Sequence, residues 1–211
     1  AIDAVKLHIP VAHLEAGLRS FARTMPEEIN RIITDTISDF LLTPSPDGDE
    51  NLLKEGVAKE KISFVGNIMI DSLIQFQNKA KESDILLRIT ADSGKEVTKQ
   101  NYSLITLHRP SNVDSKEGLI TILNAFEEIS KHIKLVFPIH PRTKKQIKEF
   151  NLQDKVDKME NLLLVPPVGY YDFLNLEMNA KFILTDSGGI QEESTYFGVP
   201  CLTLRPNTER P

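Results

Sequence analysis

The sequence predicts an α/β protein built on parallel β-sheets, and three observations support this fold class. Short apolar runs typical of buried strands recur along the chain, segments with helical periodicity separate them, and glycine or proline marks many of the boundaries. Strands that alternate with helices require right-handed crossovers, which make the strands parallel. Ligands of such sheets bind beyond the carboxyl ends of the strands.

The first half of the chain shows the less regular alternation. Residues 1–7 have the pattern of the last turns of a helix. Pro26 and two following glutamates open a second helix, because proline costs no hydrogen bond in a first turn and acidic side chains favour the positive end of a helix. The remaining elements are expected as strands at 9–13, 40–43 and 61–65, a turn at 44–49, and helices at 26–38 and 50–55.

The second half repeats the alternation more clearly. A helix is expected at 68–81 and a polar surface helix with a linker at 82–100, so we predict a first domain at 1–67, a connection at 68–100 and a second domain at 101–211. The strands of the second domain are expected at 102–107, 135–139, 162–165, 182–184 and 199–204, and its helices near 116–131, 144–150, 171–178 and 190–197.

Charge and composition argue against several classes of protein. The net charge of -5 and the pI of about 5.6 disfavour a broad nucleic-acid-binding surface. No apolar run approaches the roughly 18 residues of a membrane span, and no signal peptide is recognisable. The single cysteine, Cys201, lies in an apolar run and is interpreted as a small buried hydrophobe. We expect a cytoplasmic protein with neither nucleic-acid nor membrane partners.

The most informative stretch is TDSGGIQEE at residues 185–193, which joins a predicted strand to a helix through a glycine turn. A helix N-terminus presents unpaired N–H groups, and Gly188 and Gly189 lack the Cβ atoms that would hold an anion away from them. Glu192 and Glu193 follow in the first helical turns, where a carboxylate can accept hydrogen bonds from sugar hydroxyls. The alternative is an ordinary strand-to-helix turn, but the combination suggests a site for a nucleotide sugar.

Basic side chains follow two other strands. His108 and Arg109 come after one strand, and His140 and Arg142 come after its expected neighbour. Arginine suits a pyrophosphate through its forked donors, and histidine can also move a proton near neutral pH. Although a lone histidine at a strand end is usually only a hydrogen-bonded structural residue, two such pairs predict that the four side chains converge on one edge of the sheet.

Two further sets of residues are candidates with an open alternative. Tyr170, Tyr171 and Phe173 can offer a face on which a base stacks, or can simply pack a helix. Glu15 stands beyond a strand end, and Glu27 and Glu28 stand at a helix start. Paired carboxylates serve as acid and base where burial or repulsion raises one pKa, whereas an exposed glutamate at a helix start is usually only a partner of the helix dipole.

Several ungapped motifs occur in a fixed order along the chain. They are HLEAGLRS (13–20), PEEINR (26–31), VGN (65–67), LHRPSN (107–112), HPRT (140–143), TDSGGIQEE (185–193) and TERP (208–211). Over essentially its whole length the chain resembles the non-hydrolysing UDP-N-acetylglucosamine 2-epimerase family. The resemblance implies a GT-B-like pair of Rossmann-type domains, the first one incomplete, and a homodimer that interconverts UDP-GlcNAc and UDP-ManNAc for cell-surface polysaccharide. It implies no metal and no cofactor.

The resemblance also implies roles for individual residues. Glu15, Glu27 and His108 match the catalytic group. The substrate-binding positions that it implies are Ser187, Gly188 and Gly189 for phosphate, Glu193 for the ribose, Phe173 near the uracil, and Arg109, His140 and Arg142. The expected route is anti elimination of UDP to 2-acetamidoglucal, followed by re-addition after a proton returns to the other face. Which residue is the base stays open.

Parts of the family pattern are missing from this sequence. Family members carry a Gly-Thr-Arg-Pro-Glu loop and a Gly-Asp-Thr motif ahead of the position of Ala1, and a further segment after TERP. We therefore interpret the chain as a fragment and expect it to bind UDP weakly and to turn over poorly by itself. The alternatives are a hydrolysing epimerase, a GT-B glycosyltransferase, which does not need the carboxylates of HLEAG and PEE, and a non-catalytic UDP-sugar-binding module.

Overall fold

The computed structural model describes residues 1–205, 208 and 209, so Arg210 and Pro211 of the TERP motif lie outside the described residues. The chain forms two compact units. One consists of Ala1–Asp71 with Thr208 and Glu209, and the other begins at Ser72 and includes the described residues up to Arg205. Within this described part each unit contains one sheet, and all its strand pairs are parallel. The domain limits expected from the sequence stay a prediction.

The first unit has the strand order β1-β2-β3. Ala16, Leu41 and Leu52 form its buried apolar centre. Its elements are α1 (Ile2–Lys6), β1 (Ala12–Leu14), α2 (Pro26–Ile37), β2 (Phe40–Thr43), α3 (Pro46–Lys54), a 3₁₀ turn (Lys59–Lys61) and β3 (Ile62–Phe64).

Two elements of this unit differ from the sequence prediction. The first strand begins at Ala12 rather than at residue 9, and His8 just before it has a left-handed φ of 57°, which interrupts extended backbone. The prediction of a turn at 44–49 is wrong for residues 46–49, because α3 already begins at Pro46. Proline has the φ angle of a first helical turn, and Asp47 and Asp49 favour the positive end of the helix.

Gly17 and Gly48 allow the loop after β1 to lie directly on α3. Gly17 has a left-handed φ of 81°, and a Cβ atom there would lie 2.3 Å from the carbonyl oxygen of Gly48. The side chain of Asn51, one turn further along α3, donates a hydrogen bond of 2.9 Å to the carbonyl oxygen of Gly17. The loop that carries Glu15 is therefore held against this helix by its backbone.

The second unit has the strand order β6-β5-β4-β7-β8. The helix α4 (Ile68–Lys81) contains the boundary between the units at Asp71. The other elements are α5 (Ile85–Ser93), β4 (Tyr102–Thr106), α6 (Pro110–Val113), α7 (Lys116–Ser130), β5 (Lys134–Pro138), α8 (Pro141–Glu149), α9 (Gln153–Asp157), β6 (Leu162–Val165), α10 (Tyr170–Asn179), β7 (Phe182–Thr185), α11 (Gly188–Phe197) and β8 (Cys201–Thr203).

The strand order decides where a ligand site can form. The chain moves from β4 outward through β5 and β6, and then returns to the other side of β4 with β7 and β8. The direction of the connections reverses between β4 and β7, which is the point where open α/β sheets bind ligands at the strand ends. Alternate residues of β4 pack into two apolar clusters, Ile105 into one and Leu104 into the other. The sheet is thus covered on both faces, and its strand ends stay accessible.

Two segments of this unit also differ from the sequence prediction. The helix expected at 144–150 begins at Pro141, because proline again occupies the first turn and the Nδ1 atom of His140 caps the helix by accepting a hydrogen bond from the Arg142 N–H at 3.2 Å. The expected surface segment at 82–100 contains Ile85 and Ile89, which are buried in the core. Among residues 1–205, 208 and 209, every helix is too short or too polar to cross a membrane.

The first testable consequence concerns Gly17. We expect Gly17→Ala to lower the free energy of unfolding more than Gly56→Ala does, because both glycines have left-handed φ angles but only Gly17 meets another backbone. The left-handed conformation costs alanine about 1 to 2 kcal/mol at either position. The close approach to Gly48 adds about 1 to 3 kcal/mol at Gly17 alone. Urea unfolding of the two variants measures the difference, and equal losses would contradict the close packing.

Candidate active site

The strands β4 and β7 end side by side and bring their following residues together. Thr106 pairs with Thr185 at the last position of this register, and their hydroxyl oxygens lie 2.5 Å apart. The Thr185 hydroxyl also accepts a hydrogen bond of 2.9 Å from the backbone N–H of Ser187. The turn that leads into α11 is thereby fixed to the end of the central strand.

The side chain of Asp186 is the centre of this strand-end cluster. It is 0% exposed. The backbone N–H groups of His108 and Arg109 donate to its Oδ2 atom at 3.0 and 2.8 Å, and Asn112 Nδ2 donates to the same oxygen at 3.1 Å. The Nδ1 atom of His108 lies 3.0 Å from Oδ1. One buried carboxylate after β7 therefore sets the conformation of the loop after β4.

The environment keeps this carboxylate charged. Burial acts to raise the pKa of Asp186, but the hydrogen bond from His108 and the backbone N–H groups of Arg109 and His108 outweigh it and hold the pKa below its ordinary value. A charged Asp186 accepts the Nδ1 proton of His108, which leaves Nε2 as the ring nitrogen that can exchange a proton with a substrate. The imidazole is partly exposed, so Nε2 suits a proton acceptor for a bound substrate.

The two histidines expected at the strand ends do lie close together. The rings of His108 and His140 have their centroids 5.8 Å apart. The side chain of Arg109 lies at the same edge of the sheet, because its Nε atom donates a hydrogen bond of 2.8 Å to the carbonyl oxygen of Asp186, next to the glycine turn. Three of the four expected side chains therefore meet near the ends of β4, β5 and β7.

Arg142 differs from this expectation. It is exposed and forms a two-pronged ion pair with Asp114, with Nε and Nη2 2.9 and 2.5 Å from the two carboxylate oxygens. The hydrogen bond from Arg142 lowers the pKa of Asp114, so the pair is charged at neutral pH. The guanidinium fork is thus already used by a carboxylate, and a role for Arg142 in substrate binding stays a prediction.

The residues of the glycine turn begin a helix, as expected. Ser187 is the N-terminal cap position of α11, with φ and ψ of -87° and 133°, and Gly188 and Gly189 are its first residues. Gly188 is buried. The positive end of α11 therefore faces the strand ends beside His108 and Arg109, which is a suitable environment for a phosphate group.

Glu193 lies further along the same helix and is only 6% exposed. The hydroxyl group of Tyr170 lies 3.5 Å from its Oε1 atom. Burial, followed by the charge of Glu193, raises the pKa of Tyr170 to about 12, so the phenol is neutral. Phe173 on α10 is packed against the second apolar cluster of the unit. Its packing fits the alternative left open by the sequence, and a contact with uracil stays a prediction.

In the first unit, Glu15 stands in the loop directly after β1. It has a left-handed φ of 67°, which is uncommon for a residue with a side chain and is often found at functional sites. The loop is held by Asp35 of α2, whose carboxylate accepts hydrogen bonds from the Gly17 N–H at 3.1 Å and pairs with Arg19 Nη2 at 2.7 Å. The ring of His13 lies 2.5 Å from the other oxygen. Asp35 thus holds the chain on both sides of Glu15.

The acid pair at the start of α2 divides into two roles. Glu27 is exposed, whereas Glu28 is buried and accepts hydrogen bonds from the backbone N–H groups of Ser20 and Phe21 and from Arg31. Burial acts to raise the pKa of Glu28, but these donors hold it below its ordinary value. Glu28 therefore fixes the loop before the helix, and Glu27 is the carboxylate that is accessible for chemistry.

Two residues that support the candidate site, Asp186 and Asp35, were not predicted from the sequence. Asp186 was identified only as part of the TDSGG turn, and no role was predicted for its side chain. Asp35 was visible as an acidic residue late in a helix. In the part of the chain that the structure describes, no three His, Cys, Asp or Glu side chains are grouped as a metal site requires. Cys201 was expected to be buried but is only half-buried, and burial raises the pKa of its thiol.

The parallel sheets and the strand-end cluster define a Rossmann-type α/β protein with a site suited to a phosphorylated ligand. The chain belongs to the UDP-N-acetylglucosamine 2-epimerase family, whose model matches residues 1–211. The resemblance stated from the sequence motifs and the expected GT-B-like fold class are thereby confirmed.

Individual relatives agree with this assignment. The chain is 50% identical over 213 residues to the UDP-N-acetylglucosamine 2-epimerase of Methanocaldococcus jannaschii and covers 100% of itself and 57% of that protein. It is 41% identical to the UDP-2,3-diacetamido-2,3-dideoxy-D-glucuronate 2-epimerase of Pseudomonas aeruginosa, covering 99% and 55%. A crystal structure of the M. jannaschii UDP-GlcNAc 2-epimerase in complex with UDP-GlcNAc and UDP matches with a TM-score of 0.89 and 48% identity, covering 100% and 57%. The chain spans little more than half the length of these relatives.

The second prediction concerns Asp35. We expect Asp35→Asn to lower the free energy of unfolding at neutral pH by about 3 kcal/mol, because the buried Arg19 loses one of its two charged partners and keeps only the half-exposed Glu55. Burial acts to raise the pKa of Asp35, but the hydrogen bonds from His13 and Arg19 hold it below the ordinary value. The stabilisation is therefore complete above about pH 4, the ordinary pKa, and is lost as the pH falls through the lower folded pKa.

Urea unfolding at a series of pH values measures this effect. The matched control is Asp3→Asn, because Asp3 is exposed in the same unit and we expect a loss below about 1 kcal/mol there. Equal midpoints for Asp35→Asn and the wild-type chain at neutral pH would contradict the role of Asp35.

Proposed function

We propose that the protein, in its full natural length, is a UDP-N-acetylglucosamine 2-epimerase that interconverts UDP-GlcNAc and UDP-ManNAc. The observation that carries this proposal is the strand-end cluster, in which Asp186 holds His108 and Arg109 beside the positive end of α11. Family membership and the UDP-GlcNAc complex of a relative at 48% identity support it.

The binding roles are those that the family resemblance implies, and the position of the strand-end cluster supports the phosphate site among them. The N-terminus of α11, at Ser187, Gly188 and Gly189, takes the diphosphate together with Arg109. His140 adds a donor at the same edge of the sheet. Glu193 accepts hydrogen bonds from the ribose hydroxyls, and Phe173 lies near the uracil. This assigns the UDP part of the substrate to the second unit.

The chemistry is an elimination and its reversal. A base removes the C2 proton, the electron pair forms a C1–C2 double bond, and the C1–O bond to UDP breaks with its electrons on the phosphate. Addition of UDP to the resulting 2-acetamidoglucal, with a proton delivered to the other face of C2, gives the epimer. Glu15, Glu27 and His108 are the candidates for acid and base, and the helix N-terminus with Arg109 stabilises the departing UDP.

The proposed reaction also has consequences for the cofactor, the compartment and the oligomeric state. No redox cofactor is required, because the proton is removed and returned without net oxidation. We expect no metal ion either, because the helix N-terminus and Arg109 are proposed to stabilise the departing UDP. We expect the full-length protein to be a cytoplasmic homodimer that supplies UDP-ManNAc for cell-surface polysaccharide. A non-catalytic UDP-sugar-binding module and a hydrolysing epimerase are the alternatives.

A second substrate is favoured by one finding. A relative at 41% identity is named for UDP-2,3-diacetamido-2,3-dideoxy-D-glucuronate, which shares UDP and the acetamido group at C2 with UDP-GlcNAc but differs at C3 and C6 of the sugar. The binding roles proposed for the second unit concern UDP, which both substrates contain. The sugar substituents at C3 and C6 are therefore the features that the assay has to vary.

The third prediction tests the reaction itself. Proton NMR of UDP-GlcNAc with the full-length protein in deuterium oxide should show loss of the C2 proton signal and appearance of the manno isomer as a UDP-sugar. Accumulation of UDP with free ManNAc would instead identify a hydrolysing enzyme. Turnover of the diacetamido-glucuronate substrate alone would move the assignment to that sugar, and UDP binding without turnover of either sugar would favour the binding module.

The fourth prediction tests His108. We expect His108→Asn to lower kcat for epimerisation by about 10² to 10⁴-fold with little change in the Kd of UDP, because asparagine keeps a polar side chain but cannot move the proton. The matched control is His132→Asn, because His132 is exposed just before β5, at the end of that strand away from the site. A kcat for His108→Asn equal to that of the control would exclude His108 from proton transfer.

A further inference from the structure

The helices α10 and α11 bury two carboxyl groups against each other. Glu177, in the last turns of α10, is 0% exposed, and Glu193 of α11 is 6% exposed. The two side chains lie within hydrogen-bonding reach of one another. Glu177 is absent from the motifs that identify the family and has no role in the reaction described above.

The partners of Glu177 show which of the two groups holds a proton. Among the described residues, neither carboxyl oxygen of Glu177 has a hydrogen-bond donor. An ionised carboxylate buried in this way is costly, and two carboxyl groups can only form a hydrogen bond when one of them is protonated. Burial, followed by the charge of Glu193, raises the pKa of Glu177 well above its ordinary value. Glu177 is therefore the protonated member of the pair at neutral pH.

Three other titratable groups of the described chain interact with the pair, and none of these three is a cation. Tyr170 on α10 is neutral, because burial raises its pKa to about 12. Burial also raises the pKa of the Cys201 thiol on β8, so that side chain is neutral as well. Burial raises the pKa of Glu193, the hydrogen bonds with Glu177 and Tyr170 act against this, and the negative charge of the neighbouring Glu192 on α11 raises it further. A shared proton between Glu177 and Glu193 is what limits the buried pair to one negative charge.

We propose that Glu177 is a positioning residue whose protonated carboxyl group donates a hydrogen bond to Glu193 and fixes the orientation in which Glu193 binds the ribose hydroxyls. This inference rests on the proposed binding of UDP by the second unit. The Tyr170 hydroxyl at 3.5 Å is a long contact and orients Glu193 only weakly. With Glu177 as the donor, Glu193 is held before the nucleotide arrives, which reduces the entropy lost on binding.

The proton also serves the binding of an anion. Glu193 belongs to the helix whose N-terminus is proposed to hold the diphosphate, so a second charge on Glu177 would repel the ligand through a poorly hydrated interior. A single charge on the pair is enough to accept hydrogen bonds from the ribose. Glu177 thus orients Glu193 without adding a charge to the site.

Two substitutions and two ligands separate this role from a purely structural one. The wild-type full-length protein should bind UDP more tightly than 2′,3′-dideoxy-UDP, which lacks the ribose hydroxyls from which Glu193 is proposed to accept hydrogen bonds. Glu177→Gln should keep this preference, because its amide N–H donates to Glu193 in place of the acid. Glu177→Met has a similar volume but no donor, and should weaken UDP binding about tenfold while leaving dideoxy-UDP binding unchanged.

Isothermal titration calorimetry of the wild-type, Glu177→Gln and Glu177→Met proteins with UDP and with 2′,3′-dideoxy-UDP measures these affinities. Equal weakening of both ligands in Glu177→Met, or an unchanged preference for UDP, would overturn the positioning role and leave the proposed function intact. A wild-type protein that fails to bind UDP would contradict the proposed function, and the positioning role would fall with it.

A spectroscopic measurement decides the point if Glu177→Met does not fold. The infrared spectrum of the wild-type protein at neutral pH should contain the C=O stretch of a buried protonated carboxyl group, and this band should shift in deuterium oxide and be absent from Glu177→Gln. A wild-type spectrum without such a band would overturn the proposal, whatever the protein binds.

Discussion

The burial of one carboxylate, Asp186, determines the arrangement of the candidate active site. A charge removed from water needs several donors, and here they come from the loop after β4: two backbone N–H groups, the His108 ring and Asn112. The loop therefore has to fold around the end of β7. The orientation of His108, the position of Arg109 and the accessibility of the α11 N-terminus all follow from this requirement.

The first unit uses the same device on a different loop. Asp35 on α2 collects the Gly17 N–H, the Arg19 guanidinium and the His13 ring, and so fixes the chain before and after Glu15. In each unit one residue proposed for chemistry, Glu15 or His108, stands on a loop, and a buried aspartate from a neighbouring element holds that loop. Loops held by a rigid scaffold can carry reactive side chains with the precision that catalysis needs.

The sequence predicted the parts of this arrangement that depend on local pattern. Apolar runs and helical periodicity located most strands and helices, and the βα alternation indicated that His108, His140 and the glycine turn lie at strand ends on one edge. The predicted starts of α3 and α8 lay too late in the chain, although a proline in the first turn is a known signal of a helix start in both cases. The burial of Asp35 and Asp186 was not predictable in this way, because it depends on donors that lie far along the chain, such as Gly17 and His108.

The same dependence on partners explains why chemically similar side chains end in opposite states. Asp186 and Asp35 are buried among donors, and their pKa values are lowered, so they remain charged. Glu177 is buried as deeply but meets another carboxyl group, and its pKa is raised. A site for a diphosphate needs acceptors for the ribose without an excess of negative charge. Hydrogen-bond donors keep Asp35 and Asp186 charged, whereas a shared proton keeps Glu177 neutral. In each case the neighbours of the carboxyl group determine its charge, and the type of acidic residue does not.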